Sequence, residues 1–194
     1  MHYYSEKQDS PLIRNDIKIK VFDQVFSLTS AGGIFSKDGL DKASKLLIEN
    51  SDIPKNAKVL DLGCGYGVVG ISLLKKYDDL ELTFSDVNER ALLLTKENLK
   101  KQGLKGKVIK SDSFDNIKEV FDYILTNPPI AAGRKKCYEL IEQSHSHLKK
   151  GGSLYLVARH KKGGEMLQKK MEEHFFVSVV AKGSGFRVYK GTKE

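Results

Sequence analysis

Four side chains able to accept hydrogen bonds stand where apolar runs of the sequence give out: Asp61 in "VLDLGCGYGVVG", Asp86 in "FSDVNER", Asp112 in "KSDSF" and Asn127 in "FDYILTNPPI". Asp86 can take both hydroxyl hydrogens of a ribose, because an ionised carboxylate has lone pairs on both oxygens. Capping the helix that follows is its other use, but Asn88 is at least as good a cap. Asp112 is similarly placed to accept from an adenine amino group. After Asp61, the residues Gly63, Gly65 and Gly67 permit tight turning and close approach of a ligand. N–H groups at the start of the next helix can bind its electron-rich groups. Gly65, Gly67 and Gly70 also satisfy the GxGxxG dinucleotide pattern. An acid two residues ahead of the first glycine would lie close to any pyrophosphate, however, whereas it suits a ligand that carries an ammonium group. Asn127 precedes Pro128 and Pro129, whose rings fix φ over two successive residues just where a buried strand opens to solvent.

These positions require elements that bring strand ends together. "IKIKVFDQVFSLTS" alternates apolar and polar residues and reads as one or two strands, and "DGLDKASKLLIEN" has helical spacing at Leu40, Ala43, Leu47 and Ile48. Strands are predicted at "AKVLDLG", "LELTFSD", "KVIKSD", "FDYILTN" and "GSLYLVA", separated by segments such as "NERALLLTKENLKKQ" with helical periodicity. That alternation predicts a mostly parallel sheet with helices on both faces. After the helical "GGEMLQKKMEEH", the run "FFVSVVAKGSGFRVYKG" reads as a hairpin around Gly183 to Gly185. An open parallel sheet binds ligands beyond the carboxyl ends of its strands, where strand order reverses.

The length of 194 residues favours a single domain, read as a tail over 1–16 and a domain over 17–194, with entry strands and helix in 17–50 and an α/β core in 57–190. With no apolar run of about 18 residues, no transmembrane helix is expected. "MHYYSEKQDSPLIRND" lacks the apolar stretch of a secretory signal, so a cytoplasmic protein is expected. The two cysteines, Cys64 and Cys137, have no CxxC or Cys/His ligand spacing, so neither a disulfide framework nor a metal site is implied. His145 and His147 leave a helix on different faces and read as surface residues. A formal charge of +8 attracts polyanions through long-range fields, although a lysine-rich surface also serves solubility.

In this order, "VLDLGCGYG", "SDVN", "SDSF" and "NPPI" resemble the class I S-adenosylmethionine-dependent methyltransferases over about residues 57 to 190. The resemblance implies a Rossmann-like α/β fold with a mostly parallel seven-stranded sheet, a C-terminal antiparallel hairpin and S-adenosyl-L-methionine as cofactor. It places the methionine part of the cofactor at Asp61, Gly63, Cys64, Gly65 and Gly67, the ribose at Asp86 with Val87, and the adenine at Asp112 with Ser113. Asn127, beside that cofactor, begins a motif similar to that of methyltransferases acting on planar nitrogens. An amino group conjugated to a ring is a poor nucleophile. The Asn127 amide oxygen and the Pro128 carbonyl would hold its two hydrogens, aim the nitrogen at the methyl group and stabilise developing positive charge. Pro129 stiffens the turn. The fourth position, often an aromatic that stacks on the target base, is here Ile130, which packs on a flat ring without stacking; Phe35 is the candidate aromatic.

A second resemblance narrows the first. "GIFSKDGLDKASKLL" leading into the glycine motif, "TNPPI" and a terminal "GFRVYK" are similar to the small-subunit ribosomal RNA guanine-N2 methyltransferases and their single-domain relatives. The implied partner is RNA, ribosomal RNA or a small-subunit particle, with no membrane or metal. "GRKK" follows the fourth strand of the βα series and "RHKK" the fifth, so Arg134, Lys135, Lys136, Lys161 and Lys162 are expected at phosphates. Lys100, Lys101, Lys149 and Lys150 precede strands and are expected at the opposite end. Methylation of a protein glutamine amide or of DNA adenine suits the same motif, and a non-catalytic RNA-binding protein of this fold is an alternative of another class.

Overall fold

The computed structural model describes residues 12–34, 39–77 and 79–194. Ile17, Ile19 and Val21 alternate with polar residues, so β1 (Arg14–Val21) buries one face and pairs antiparallel with β2 (Gln24–Ala31), whose Phe26 and Leu28 bury the same face. Their link, Phe22–Asp23, has φ of 50° and 58°, as a two-residue type I′ hairpin turn requires. Without a glycine there, the sequence did not distinguish one strand from two. β1 also begins at Arg14, ahead of residue 17, where the side chain pairs with Glu97 at 2.8 Å.

The helix α1 (Lys42–Glu49) starts at Asp41, whose Oδ1 accepts from the N–H groups of Ala43 and Ser44, both at 2.9 Å. A strand and a helix then alternate: β3 (Lys58–Leu62), α2 (Val68–Lys76), β4 (Glu81–Asp86), α3 (Glu89–Gln102), β5 (Lys107–Lys110) and β6 (Phe121–Thr126). The chain continues through α4 (Arg134–Ser146), β7 (Leu148–Arg159), α5 (Glu165–Glu172), β8 (Phe176–Gly183) and β9 (Phe186–Thr192). The seven-stranded sheet has the order β5-β4-β3-β6-β7-β9-β8. Strands β3 to β7 run parallel, and β9 joins β7 antiparallel. The predicted α/β fold and terminal hairpin are observed; the hairpin turns at Ser184 and Gly185, with φ of 52° and 80°.

Burial on both faces explains the near-continuous apolar strands. On one face Val59, Phe84, Leu125, Tyr155, Val157 and Val188 pack with α1, α2, α3 and the β1–β2 hairpin. On the other, Leu60, Ile124, Leu154, Leu156 and Tyr189 pack with α4 and α5. Strand order reverses between β3 and β6. Leu62 stands opposite Ser85 on one side and Thr126 on the other, so Gly63, Asp86 and Asn127 emerge side by side.

The two histidines read as surface residues are part of the packing. His147 is half-buried, stacks on Phe114 with ring centroids 4.3 Å apart, and has its ring nitrogens 2.9 Å and 3.0 Å from the carbonyl oxygens of Gln143 and Ile117. His145 lies edge-on to Phe175 at 5.3 Å. A helix wheel shows that they diverge but not that each side of α4 meets another element. Cys64 and Cys137 are free and buried. Among the described residues no helix is long and apolar enough to cross a membrane.

Candidate active site

The glycine loop is held from three directions. At the β4 side, the N–H groups of Gly63 and Cys64 both donate to the Ser85 carbonyl, at 2.8 Å and 2.9 Å. Below it, Asp61 is 3% exposed and its Oδ2 accepts from the N–H of Gly70 at 2.8 Å, which gives α2 a capping acceptor that Gly67 cannot supply. From α3, Thr95 Oγ1 donates to the Gly65 carbonyl at 2.9 Å and Asn98 Nδ2 donates to that of Tyr66 at 2.9 Å. Asn98 also exchanges two hydrogen bonds with the backbone of Thr29, at 2.7 Å and 2.8 Å, and so ties the hairpin to the loop. Sequence reasoning missed Thr95 and Asn98. Their signal was polar residues within the stripe of Ala91, Leu92, Leu94 and Leu99 that α3 buries.

Gly70 explains the apparent dinucleotide pattern. A Cβ there would stand 2.3 Å from the Phe84 ring, so the glycine serves helix-to-sheet packing. At Gly63, with φ of 73°, a Cβ would meet nothing within 4 Å, which leaves open space beside the loop.

The charge beside the glycine loop is acidic and buried. Burial pushes the Asp61 carboxyl up to about 7, against the Gly70 N–H and with help from the charge of Asp86. Burial also raises Asp86, although the N–H groups of Asn88, Gly65 and Val87 oppose it. Asp86 Oδ2 accepts from Gly65 and Oδ1 from Asn88, both at 2.9 Å. These bonds fix the carboxylate plane and leave further lone-pair capacity on each oxygen. The cap of α3 is Asn88, whose Oδ1 accepts from Arg90 and Ala91. Burial likewise raises the Cys64 thiol, which makes it a packing group of the loop and not a nucleophile.

Beside this acidic rim stands Asn127. Its Nδ2 donates to Ser44 Oγ on α1 at 3.2 Å, which turns the amide oxygen away from the helix. Ser44 is buried and was not singled out from sequence. Pro129, at φ −75° and ψ 80°, forms an inverse γ-turn in which the Ile130 N–H donates to the Pro128 carbonyl at 2.9 Å. The second proline thereby sets the direction of that carbonyl, and one of its lone pairs is already used. Pro128 is buried, whereas Ile130 is 40% exposed. The turn His160–Gly164 comes against it, since a Cβ on Gly163 would stand 3.6 Å from Ile130 Cγ2.

Asp112 and Ser113 lie in the loop after β5, Ser113 with φ of 50°. Lys136 reaches across from α4 and pairs with Asp112 at 2.6 Å, so this lysine meets a carboxylate here and is not a free cation. Arg134 and Lys135 on the first turn of α4, and Lys161 and Lys162 after β7, are exposed at the same end of the sheet. Lys149 and Lys150 begin β7 at the other end, where Lys149 pairs with Asp122 at 2.8 Å. Phe35 lies outside the described residues.

Residues 25–190 match the methyltransferase small domain family. The chain is 40% identical over 197 residues to the uncharacterized protein YbxB of Bacillus subtilis, covering 99% of this chain and 98% of that one. It is also 40% identical over 167 residues to ribosomal RNA small subunit methyltransferase C of Photorhabdus laumondii, covering 84% of this chain and 48% of that one. The chain therefore spans about half the length of that relative. Among solved structures, the 16S rRNA N2 G1207 methyltransferase of T. thermophilus, in complex with AdoMet and guanosine, matches with a TM-score of 0.81 at 22% identity, over 95% of this chain and 52% of that one.

Proposed function

The chain belongs to the methyltransferase small domain family, and from that premise we propose that it transfers a methyl group from S-adenosylmethionine to the exocyclic N2 amine of a guanine in ribosomal RNA. The acceptor groups present fit the cofactor. Asp61, a buried carboxyl with a pKa raised to about 7, gains a counter-charge from an ammonium group. Asp86 keeps lone pairs for ribose hydroxyls, and Gly63 leaves open space beside the loop. Asp112 accepts from the adenine amine once Lys136 shares it. When bound, the cofactor supplies an electrophilic methyl group.

The observation that carries the reading is the pair of acceptors after β6. Ser44 holds the Asn127 amide with its oxygen outward, and the γ-turn at Pro129 fixes the Pro128 carbonyl beside it. An aryl amine donates one hydrogen to each, which aims the nitrogen lone pair at the methyl group. As the methyl group passes from sulfur to nitrogen, the N–C bond replaces the S–C bond, whose electron pair stays on sulfur as a neutral thioether; positive charge grows on nitrogen and both acceptors stabilise it. The methylated arylammonium then loses a proton to solvent, so no strong base is needed. The 40% identity to a ribosomal RNA small subunit methyltransferase supports RNA over a protein amide or DNA as acceptor, as does the +8 charge.

Nucleoside mass spectrometry of ribosomal RNA from a deletion strain tests this. Loss of one N2-methylguanosine, restored by adding purified protein and S-adenosylmethionine, is expected. Unchanged N2-methylguanosine, or label transferred only to protein or DNA, refutes it.

A further inference from the structure

Arg159 ends β7 opposite Phe186, the first residue of β9, and its guanidinium carbon lies 4.6 Å from the centroid of the Phe186 ring. Phe186 is half-buried and packs against the core on the α1 face of the sheet. Arg159 is exposed, and among the described residues no carboxylate pairs with it. Surface arginines readily take acidic partners; one laid on a ring instead presents a flat cationic face to solvent. The backbone around it is tightly held. His160 N–H donates to the Gly185 carbonyl at 3.0 Å, and a Cβ on Gly164 would come within 2.9 Å of the Arg159 carbonyl oxygen.

The direction of this face matters more than its charge. Tyr155 and Val157 point into the α1-side core, so Arg159 follows on that side by the two-residue period of a strand. Asn127 shares the side, since it reaches Ser44 on α1. Thr126 stands opposite Leu156, so Asn127 comes level with Val157 and Arg159 stands two residues, roughly 7 Å, further along the neighbouring strand. A base held at Asn127 would have its sequence neighbour near that face.

We propose that the outer face of the Arg159 guanidinium, held flat by Phe186, stacks on an unpaired nucleobase adjacent to the methylated nucleotide. Such stacking accepts any base but only an unstacked one, so the protein takes single-stranded or opened RNA in preference to intact duplex. The inference rests on the RNA reading above.

The test uses a single-stranded oligoribonucleotide centred on the guanine that the purified protein methylates, with one abasic nucleotide stepped along it. Arg159→Ala should bind the intact strand about 5- to 150-fold more weakly. Arg159→Lys, which keeps the charge, should lose nearly as much with the salt dependence unchanged. At one nucleotide beside the target, an abasic site should weaken wild type but leave Arg159→Ala unaffected. S-adenosylmethionine affinity, measured alongside, should be unaltered and reports an intact fold. Wild-type affinity in Arg159→Lys, or an equal abasic penalty in both proteins at every position, overturns the platform while leaving the RNA reading in place. A wild-type protein that methylates a protein acceptor and no RNA overturns both.

Discussion

Replacing Asn127 by alanine separates orienting the amine from holding the rest of the RNA. The amide contributes one of two acceptors after β6; the other, the Pro128 carbonyl, is set by the γ-turn and survives the change. Losing one preorganised polar group from an active site costs about 10²- to 10³-fold in rate, and the methyl-transfer step should fall by that factor. The second half of the prediction concerns Ser44. Ser44→Ala leaves the amide in place but removes a neutral hydrogen bond, 3.2 Å long, that orients it. A net contribution of about 0.5–1.5 kcal/mol for such a bond converts to about a 2- to 13-fold slower transfer. Both are measured as single-turnover rates at saturating S-adenosylmethionine and RNA, with separate titrations of each ligand. Affinities should hold near wild type. A near-native rate in Asn127→Ala would show that "TNPPI" is only a stiff turn, and lost cofactor affinity would move Asn127 from the target to the cofactor.

Asp86→Ala should weaken S-adenosylmethionine binding by about one to two decades in calorimetry, because hydrogen bonds to a charged group contribute roughly 1.5–3 kcal/mol; unchanged affinity would remove Asp86 from the ribose site. Asp61 makes binding proton-linked: below its folded pKa of about 7 the cofactor ammonium must displace a proton, so affinity should rise up to about tenfold per pH unit and level off above neutrality. The same raised value means that the folded state holds this proton while the unfolded state loses it near 3.8, so its contribution to stability is full below 3.8 and lost as pH rises to about 7. Asp61→Asn should abolish both trends, as read from calorimetry and thermal melts across that window. Charge reversal at Arg134 with Lys135, or at Lys161 with Lys162, should weaken RNA binding and reduce its salt slope by about 0.7–0.9 per lost contact; in salt-titrated binding assays the same change at Lys149 with Lys150 should have no such effect.

The sequence by itself determined the α/β architecture, the order of its strands and helices, and the rank of acceptors Asp61, Asp86, Asp112 and Asn127 at strand ends. Those features are local. Apolar periodicity, glycine at a turn and proline after a strand act within a few residues, and right-handed βα connections carry each strand end to the same edge of the sheet. What holds the acceptors in place is not local. Ser44 and Asn127 are 83 residues apart in the chain, Asn98 and Thr29 are 69 apart, and Thr95 reaches Gly65 from 30 residues away. No periodicity relates such pairs; they meet because α1 and α3 pack on one face of the sheet and have buried polar groups to satisfy. The same holds for the cations. Position after a strand placed Lys136 and the run "RHKK", which Arg159 opens, at one end of the sheet, yet packing turns Lys136 onto Asp112 and sets Arg159 over Phe186. Charge is a property of the residue, whereas the partner that neutralises or exposes it is decided by which loops the fold brings side by side.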